Sequence, residues 1–203
     1  MMIGEAIKQA ALDLWDELLY LMLFNMIWCI GAVLVIPLPY VTFGLYYTAY
    51  DVVEGKSIKL STFFEYANQT WRLAYTWGLL NLAVFVVLGL NIAFYGTINA
   101  AWAVMLRFLF ISLGGLWLII QLIALTLYPR LEEPGLKIAY RNALALFGHY
   151  PVILFILIAT IIFLGIMSNF LPLVLFLLTF AALSVLSSRL TKSLVQEELK
   201  RIS

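Results

Sequence analysis

Few side chains in this sequence could do chemistry, and most of them sit in apolar surroundings. Asn25, Asn81 and Gln121 each interrupt a long apolar run, about seven to nine residues from one end of it. At 1.5 Å per residue they share one depth, roughly 10–14 Å in. Amides at a common depth can hydrogen-bond from helix to helix, for on the order of 1 kcal/mol, or can line a polar site for a neutral solute such as a sugar. Thr42 and Tyr46 lie in the stretch "IPLPYVTFGLYYTAYDVVEG", a short segment broken by Pro37 and Pro39. Broken helices of this kind form substrate sites in transporters, while packing is the competing role for both residues. Arg107 is the one charge inside an apolar run, and no acid lies near it in sequence. It is expected to snorkel toward water and to meet lipid phosphate, with recognition of an anion as the other role.

Other chemistry is missing. There is no phosphate-cradling glycine loop with lysine, no Gly-x-Ser-x-Gly elbow and no cluster of metal-ligand residue types. The one histidine, His149, and the one cysteine, Cys29, each stand alone. All eleven acids lie outside the apolar runs or at their edges, which disfavours proton-coupled transport through a buried carboxylate. The expectation is therefore no catalytic residue, no metal, no cofactor and no enzyme. With a net charge of +1, no affinity for nucleic acid is expected.

The elements that must position these groups follow from composition. The chain has 203 residues, 65% hydrophobic and 11% charged, with a mean hydropathy of +1.03. Soluble domains are about half apolar and a quarter charged, so lipid is the expected solvent of a single integral membrane domain, residues 1–203. The N-terminal stretch lacks a basic region and carries Glu5, Asp13, Asp16 and Glu17, which argues against a cleaved signal. Leu18–Ile36, Arg72–Tyr95 and Asn99–Tyr128 are long enough to cross a bilayer, and Pro151–Ser168 with Leu171–Ser187 form a hairpin joined at "NFLP". That makes five crossings.

Pro39–Val53 is a sixth if an extended "IPLP" and a short helix together reach across. Basic residues stay cytoplasmic. Lys56, Lys59 and Arg72 flank one loop, Arg130, Lys137 and Arg141 lie in another, and Arg189, Lys192, Lys200 and Arg201 follow the last run. Those loops and the C-terminus are therefore expected inside. Six crossings put the N-terminus inside as well; five put it outside.

Three amphipathic stretches precede the apolar pairs. Ile3, Ile7, Leu14, Trp15 and Leu18 share one helical face; Leu60, Phe63, Phe64, Ala67 and Trp71 share a second; Leu136, Ile138, Tyr140, Leu144 and Phe147 share a third. Thr62 and Glu65 are spaced as a capping box, and Pro134 suits a first turn. "IPLPYV" resembles "NFLPLV", and "AYDVVEGK" resembles "LYPRLEEPGLK". The reading is an all-α, polytopic transmembrane bundle of five to six spans with interfacial helices. Three parallel repeats of interfacial helix plus hairpin are expected within it.

Two blocks carry a family resemblance. In the first, Asn25, Leu38, Pro39, Val41, Thr42, Gly44 and Gly55 resemble the YesL-like family of bacterial membrane proteins, a domain of unknown function, with Leu45 departing from its usual proline. In the second, Pro129, Glu132 or Glu133, and Asn142–Ala143 match, with Tyr128 in place of phenylalanine. The resemblance implies an all-helical protein of the bacterial cell membrane. Members tend to occur beside carbohydrate-uptake and polysaccharide-degradation genes. The expected function is an accessory or permease-like component of carbohydrate or solute uptake. The alternative is a non-transporting scaffold that docks a transporter subunit or other membrane protein through its cytoplasmic amphipathic helices. Lipid is the partner common to both.

Overall fold

A computed structural model describes residues 2–170 and 172–202, which are helical nearly throughout. The order is α1 (Met2–Asp16), α2 (Leu18–Leu34), α3 (Leu38–Val53), α4 (Leu60–Gln69), α5 (Trp71–Gly96), α6 (Ala101–Leu127), α7 (Leu136–His149) and α8 (Pro151–Phe170). The last helix, α9, starts as Pro172–Val174, passes through a π-helical turn at Leu175–Thr179 and continues as Phe180–Ile202. Among the described residues two helices are long and apolar enough to cross a membrane, Trp71–Gly96 and Ala101–Arg130. A third span results if Gly4–Asp16 and Leu18–Leu34, bent by 89° at their junction, count as one.

The helix that the sequence left ambiguous is the centre of the bundle. From Val41 to Val53 nearly every residue of α3 is buried, and α3 packs against α2, α4, α5, α6 and α9. Its neighbours approach closely because they lack side chains at the contacts. A Cβ on Gly78 of α5 would stand 2.5 Å from Pro39 Cγ. The "IPLP" stretch is not an extended leg. Only Val35–Pro37 leave the helix, with Val35 at φ 64°, and α3 begins at Leu38 with Pro39 in its first turn. There the missing N–H costs nothing and the fixed φ is already helical. The helix ends in a Schellman motif: Lys56 N–H donates to Asp51 C=O (2.9 Å) and Gly55 N–H to Val52 C=O (3.0 Å). Gly55, at φ 72°, takes the left-handed position that this cap demands.

Each amphipathic helix lies on a helix of another hairpin: α4 on α3, α7 on α6, and α1 on α9. Similarly α5 packs on α3, α2 on α9 with its π turn, and α8 on α6, while α3, α6 and α9 touch one another in the middle. In α4 the buried residues Phe63 and Ala67 belong to the face read in the sequence, while in α1 and α7 the buried alanines do not. The buried pairs are Ala6 and Ala10, Phe63 and Ala67, Ala139 and Ala143, all spaced by four. Ile7, Trp15, Phe64, Trp71, Ile138 and Leu144 point outward. In α1 and α7 the small residues permit close docking on protein, in α4 Phe63 is buried beside Ala67, and the outward bulky residues are left for a different surface. The capping box also fails: α4 starts at Leu60 with Lys59 as its N-cap, so Thr62 is already inside the helix. Glu65 instead accepts from Gln69 Nε2 at 3.2 Å. Pro134 precedes the N-cap Gly135 rather than occupying the first turn of α7.

Candidate functional site

Two antiparallel helices carry the same local pattern, Trp-x-x-x-amide: "WGLLN" at Trp77–Asn81 in α5 and "WLIIQ" at Trp117–Gln121 in α6. At i, i+4 the indole and the amide share a helix face, and the two faces meet. Trp77 Nε1 donates to Gln121 Oε1 (2.7 Å), and Trp117 Nε1 donates to Asn81 Oδ1 (2.9 Å). Asn81 Nδ2 donates to its own helix at Trp77 C=O (2.8 Å) and, more distantly, to Gln121 Oε1 (3.4 Å). From α7, Tyr140 OH adds a third donor to Gln121 Oε1 (2.8 Å), with its ring stacked on Trp117 at 5.5 Å. Burial pushes the Tyr140 phenol up, so it stays an O–H donor at neutral pH.

These contacts fix the amide orientations. An indole N–H can only donate, so the atom facing Trp77 must be the oxygen of Gln121. Its nitrogen then faces away, buried and without an acceptor among the described residues. The hydroxyls of Tyr47 and Tyr128 are likewise buried without a partner. All three belong to one neighbourhood. The Phe43 ring contacts Tyr47, Tyr128 and Trp77, with centroids 6.4, 5.1 and 5.9 Å away. Unpaired groups in such a place cost roughly 1–3 kcal/mol each, and the fold leaves three of them around the Phe43–Trp77 pair.

The other residues singled out in the sequence lie elsewhere. Asn25 in α2 serves the π turn of α9: Nδ2 donates to Phe176 C=O (2.7 Å), and Oδ1 accepts from the N–H of Phe180 (2.8 Å) and of Ala181 (2.9 Å). Thr42 accepts from Trp28 Nε1 (2.9 Å) and donates to Leu38 C=O (2.7 Å). Tyr46 is buried in α3, 6% exposed. Arg107 lies at the far end of the α5–α6 hairpin. Of the sequence-derived set, only Asn81 and Gln121 come together.

At the opposite end of that hairpin, charges that the sequence had marked only as cytoplasmic pair with each other. Glu54, at the end of α3, accepts from Arg130 (3.0 Å) and from Lys192 of α9 (2.7 Å). Arg130 also reaches the carbonyl and hydroxyl of Ser188, both at 3.1 Å, and stacks on Tyr50 at 4.8 Å. Burial alone would raise Glu54, but the hydrogen bonds from Lys192 and Arg130 outweigh it and hold the carboxyl below its ordinary value. Asp13 of α1 takes a two-pronged contact from Arg189 of α9 (2.6 and 2.7 Å). Buried Asp51 is held by Lys56 and by the Tyr66 hydroxyl. Among the described residues no group of three or more potential metal-ligand side chains is present.

The sequence reading missed Trp77, Trp117, Tyr140, Tyr47 and Tyr128 because aromatic residues in apolar runs look like bulk. The repeated Trp-to-amide spacing was the available signal. No family model matches this chain, and no match was found among curated proteins or solved structures.

Proposed function

We propose that this chain is a multi-pass protein of a bacterial cell membrane that recognises a neutral, hydroxyl-bearing solute at the Trp77–Asn81–Trp117–Gln121–Tyr140 cluster. In this reading it is an accessory or permease-like component of solute uptake, carbohydrate being the favoured class. The observation that carries it is the Gln121 side-chain nitrogen, oriented by its neighbours and left without an acceptor among the described residues, with the phenols of Tyr47 and Tyr128, likewise without a partner there, packed around the same Phe43. A sugar-like hydroxyl can accept from the amide and also donate to, or accept from, a tyrosine. An ammonium group has nothing to offer a saturated Gln121 oxygen and an N–H pair in need of an acceptor.

The proposed architecture is six crossings in three like-oriented units, α1–α3, α4–α6 and α7–α9, with both termini cytoplasmic. Each unit consists of an interfacial helix, an outgoing helix and a return helix. The cyclic packing supports this, since every interfacial helix sits on the return helix of the preceding unit. The three return helices meet at the axis, and Glu54, Arg130 and Lys192 join their inner ends. Membership of the YesL-like family belongs to the same proposal. Asp51, in the last turn of α3, is held by Lys56 and Tyr66, and no proton coupling and no catalytic role is assigned.

The test is tryptophan fluorescence of the purified protein in nanodiscs, titrated with neutral mono- and disaccharides and with an alkylammonium ion of similar size. Saturable quenching by a saccharide and none by the ammonium is expected. Gln121→Leu should weaken the response by about tenfold, the effect of losing one buried hydrogen bond. No saccharide response in the wild type, or an unchanged response in Gln121→Leu, overturns the proposal.

The scaffold reading has an observation of its own: Ile138 and Leu144 of α7, and Leu60 and Phe64 of α4, stay exposed on helices whose other faces are already docked. Crosslinking from Lys137 or Arg141 to a membrane partner, without saccharide binding, would favour it.

A further inference from the structure

The far end of the α5–α6 hairpin carries a charge that the cluster above does not use. Arg107 makes no hydrogen bond or ion pair with any described residue. Arginine can form five donor contacts and cannot shed its charge, so an apolar helix face is an expensive place to leave one idle. The side chain does not point at random. Its guanidinium packs over Gly96 of α5, where a Cβ would stand 3.7 Å from Arg107 Cζ. The side chain thus runs back toward the start of α6, to the level of the hairpin turn.

There it lines a cavity of about 560 Å³ with Tyr95, Gly96, Thr97, Asn99 and Phe108. The adjoining helix N-terminus is open too: Ala100, the N-cap of α6, supplies no side-chain cap, so the first N–H groups add partial positive charge. Tyr95 and Trp102 meet edge to face beside it, the residue types that mark the headgroup level of a bilayer.

We infer that this cavity binds the phosphate of a phospholipid headgroup, with Arg107 as the group that grips it. The chemistry is that of any phosphate, since a guanidinium fork matches its oxygens. The lipid source follows from placement, because the cavity opens at the end of the two helices long enough to span a membrane. Gly96 is part of the site, as a larger side chain there would occupy the space the guanidinium now faces.

The experiment is native mass spectrometry of the full chain released from detergent, with phosphatidylglycerol added in competition with a neutral diacylglycerol of the same chains. The wild type should retain one phosphatidylglycerol, Arg107→Gln should bind it about tenfold more weakly, and Arg107→Lys should fall between. Gly96→Leu, which leaves the charge in place and fills the cavity, should weaken binding as Arg107→Gln does. Each variant is first shown to melt cooperatively, and if Arg107→Gln fails to fold, Gly96→Leu decides the matter. Inorganic phosphate should not displace the lipid. Displacement by inorganic phosphate, equal retention of the diacylglycerol, or retention unchanged in both variants overturns the assignment.

Discussion

Replacing Asn25 by leucine keeps the branching and heavy-atom count of the side chain and removes its polarity. The cost follows from what Asn25 does. A π turn inserts one residue into a helix, so main-chain groups near it lose their i→i−4 partners. Asn25 supplies three replacements, one to the carbonyl of Phe176 and one each to the N–H groups of Phe180 and Ala181. Side-chain bonds between membrane helices average only about 0.6 kcal/mol, because the freed groups find other partners. Here the stranded groups belong to the backbone of a partly buried turn and cannot rotate toward new ones, so each costs nearer 1 kcal/mol, the usual net value. Asn25→Leu should therefore lose about 3 kcal/mol, measured by denaturant titration in mixed micelles. Trp28, stacked on Phe180 at 3.7 Å, is a local fluorescence reporter. Deleting Leu178 in the Asn25→Leu background should recover part of the loss, because a turn one residue shorter can close as regular α-helix. If the deletion fails to improve Asn25→Leu, or Asn25→Leu matches the wild type, Asn25 is not the support of the π turn.

Glu54→Gln should cost about 2 kcal/mol at neutral pH, between the values for exposed and for buried ion pairs, because its carboxylate and both cations are partly buried. Its carboxyl is depressed below 4.5 in the folded protein. Its contribution is therefore present above that pH and lost as pH falls through the folded value, so melting curves of wild type and Glu54→Gln should converge in acid. Gly78→Ala should lose about 1–3 kcal/mol by overpacking against Pro39. Gly89→Ala, where an added Cβ meets nothing within 4 Å, should be neutral or gain up to about 1 kcal/mol, as read by paired thermal melts. Arg189→Lys removes the two-pronged contact to Asp13. It should loosen α1 from α9, seen as faster hydrogen exchange across residues 4–16 with the rest of the chain unchanged.

The element order was legible because period and run length are local properties. Apolar runs found α5 and α6 to within two residues at either end, and alternating apolar and charged positions found α1, α4 and α7. The central position of α3 was hidden. Hydropathy reports how apolar a segment is, not whether lipid or protein covers it, and α3 with its tyrosines and threonines is covered by protein. The two prolines misled in a similar way, because a proline in a first turn and one before it read alike in a single sequence. The charge pairs were out of reach, since Asp13 and Arg189 lie 176 positions apart. Their use in the sequence reading, as markers of one side, needed no partner.

An amide in an apolar run is an ambiguous sign until its hydrogen bonds are counted. Asn25 spends both ends on the backbone of α9 and has nothing directed at a ligand. Asn81 spends its oxygen on Trp117 and its nitrogen on Trp77 and Gln121. Gln121 is lopsided: its oxygen accepts from three donors, and its nitrogen finds no acceptor among the described residues. Had the three amides served only to hold helices together, each would be expected to end as Asn25 does, because an orphaned amide weakens the contact it is meant to secure. On the proposed reading the imbalance at Gln121 marks recognition rather than adhesion, and the group that would bind there is one that brings an oxygen with a lone pair to give.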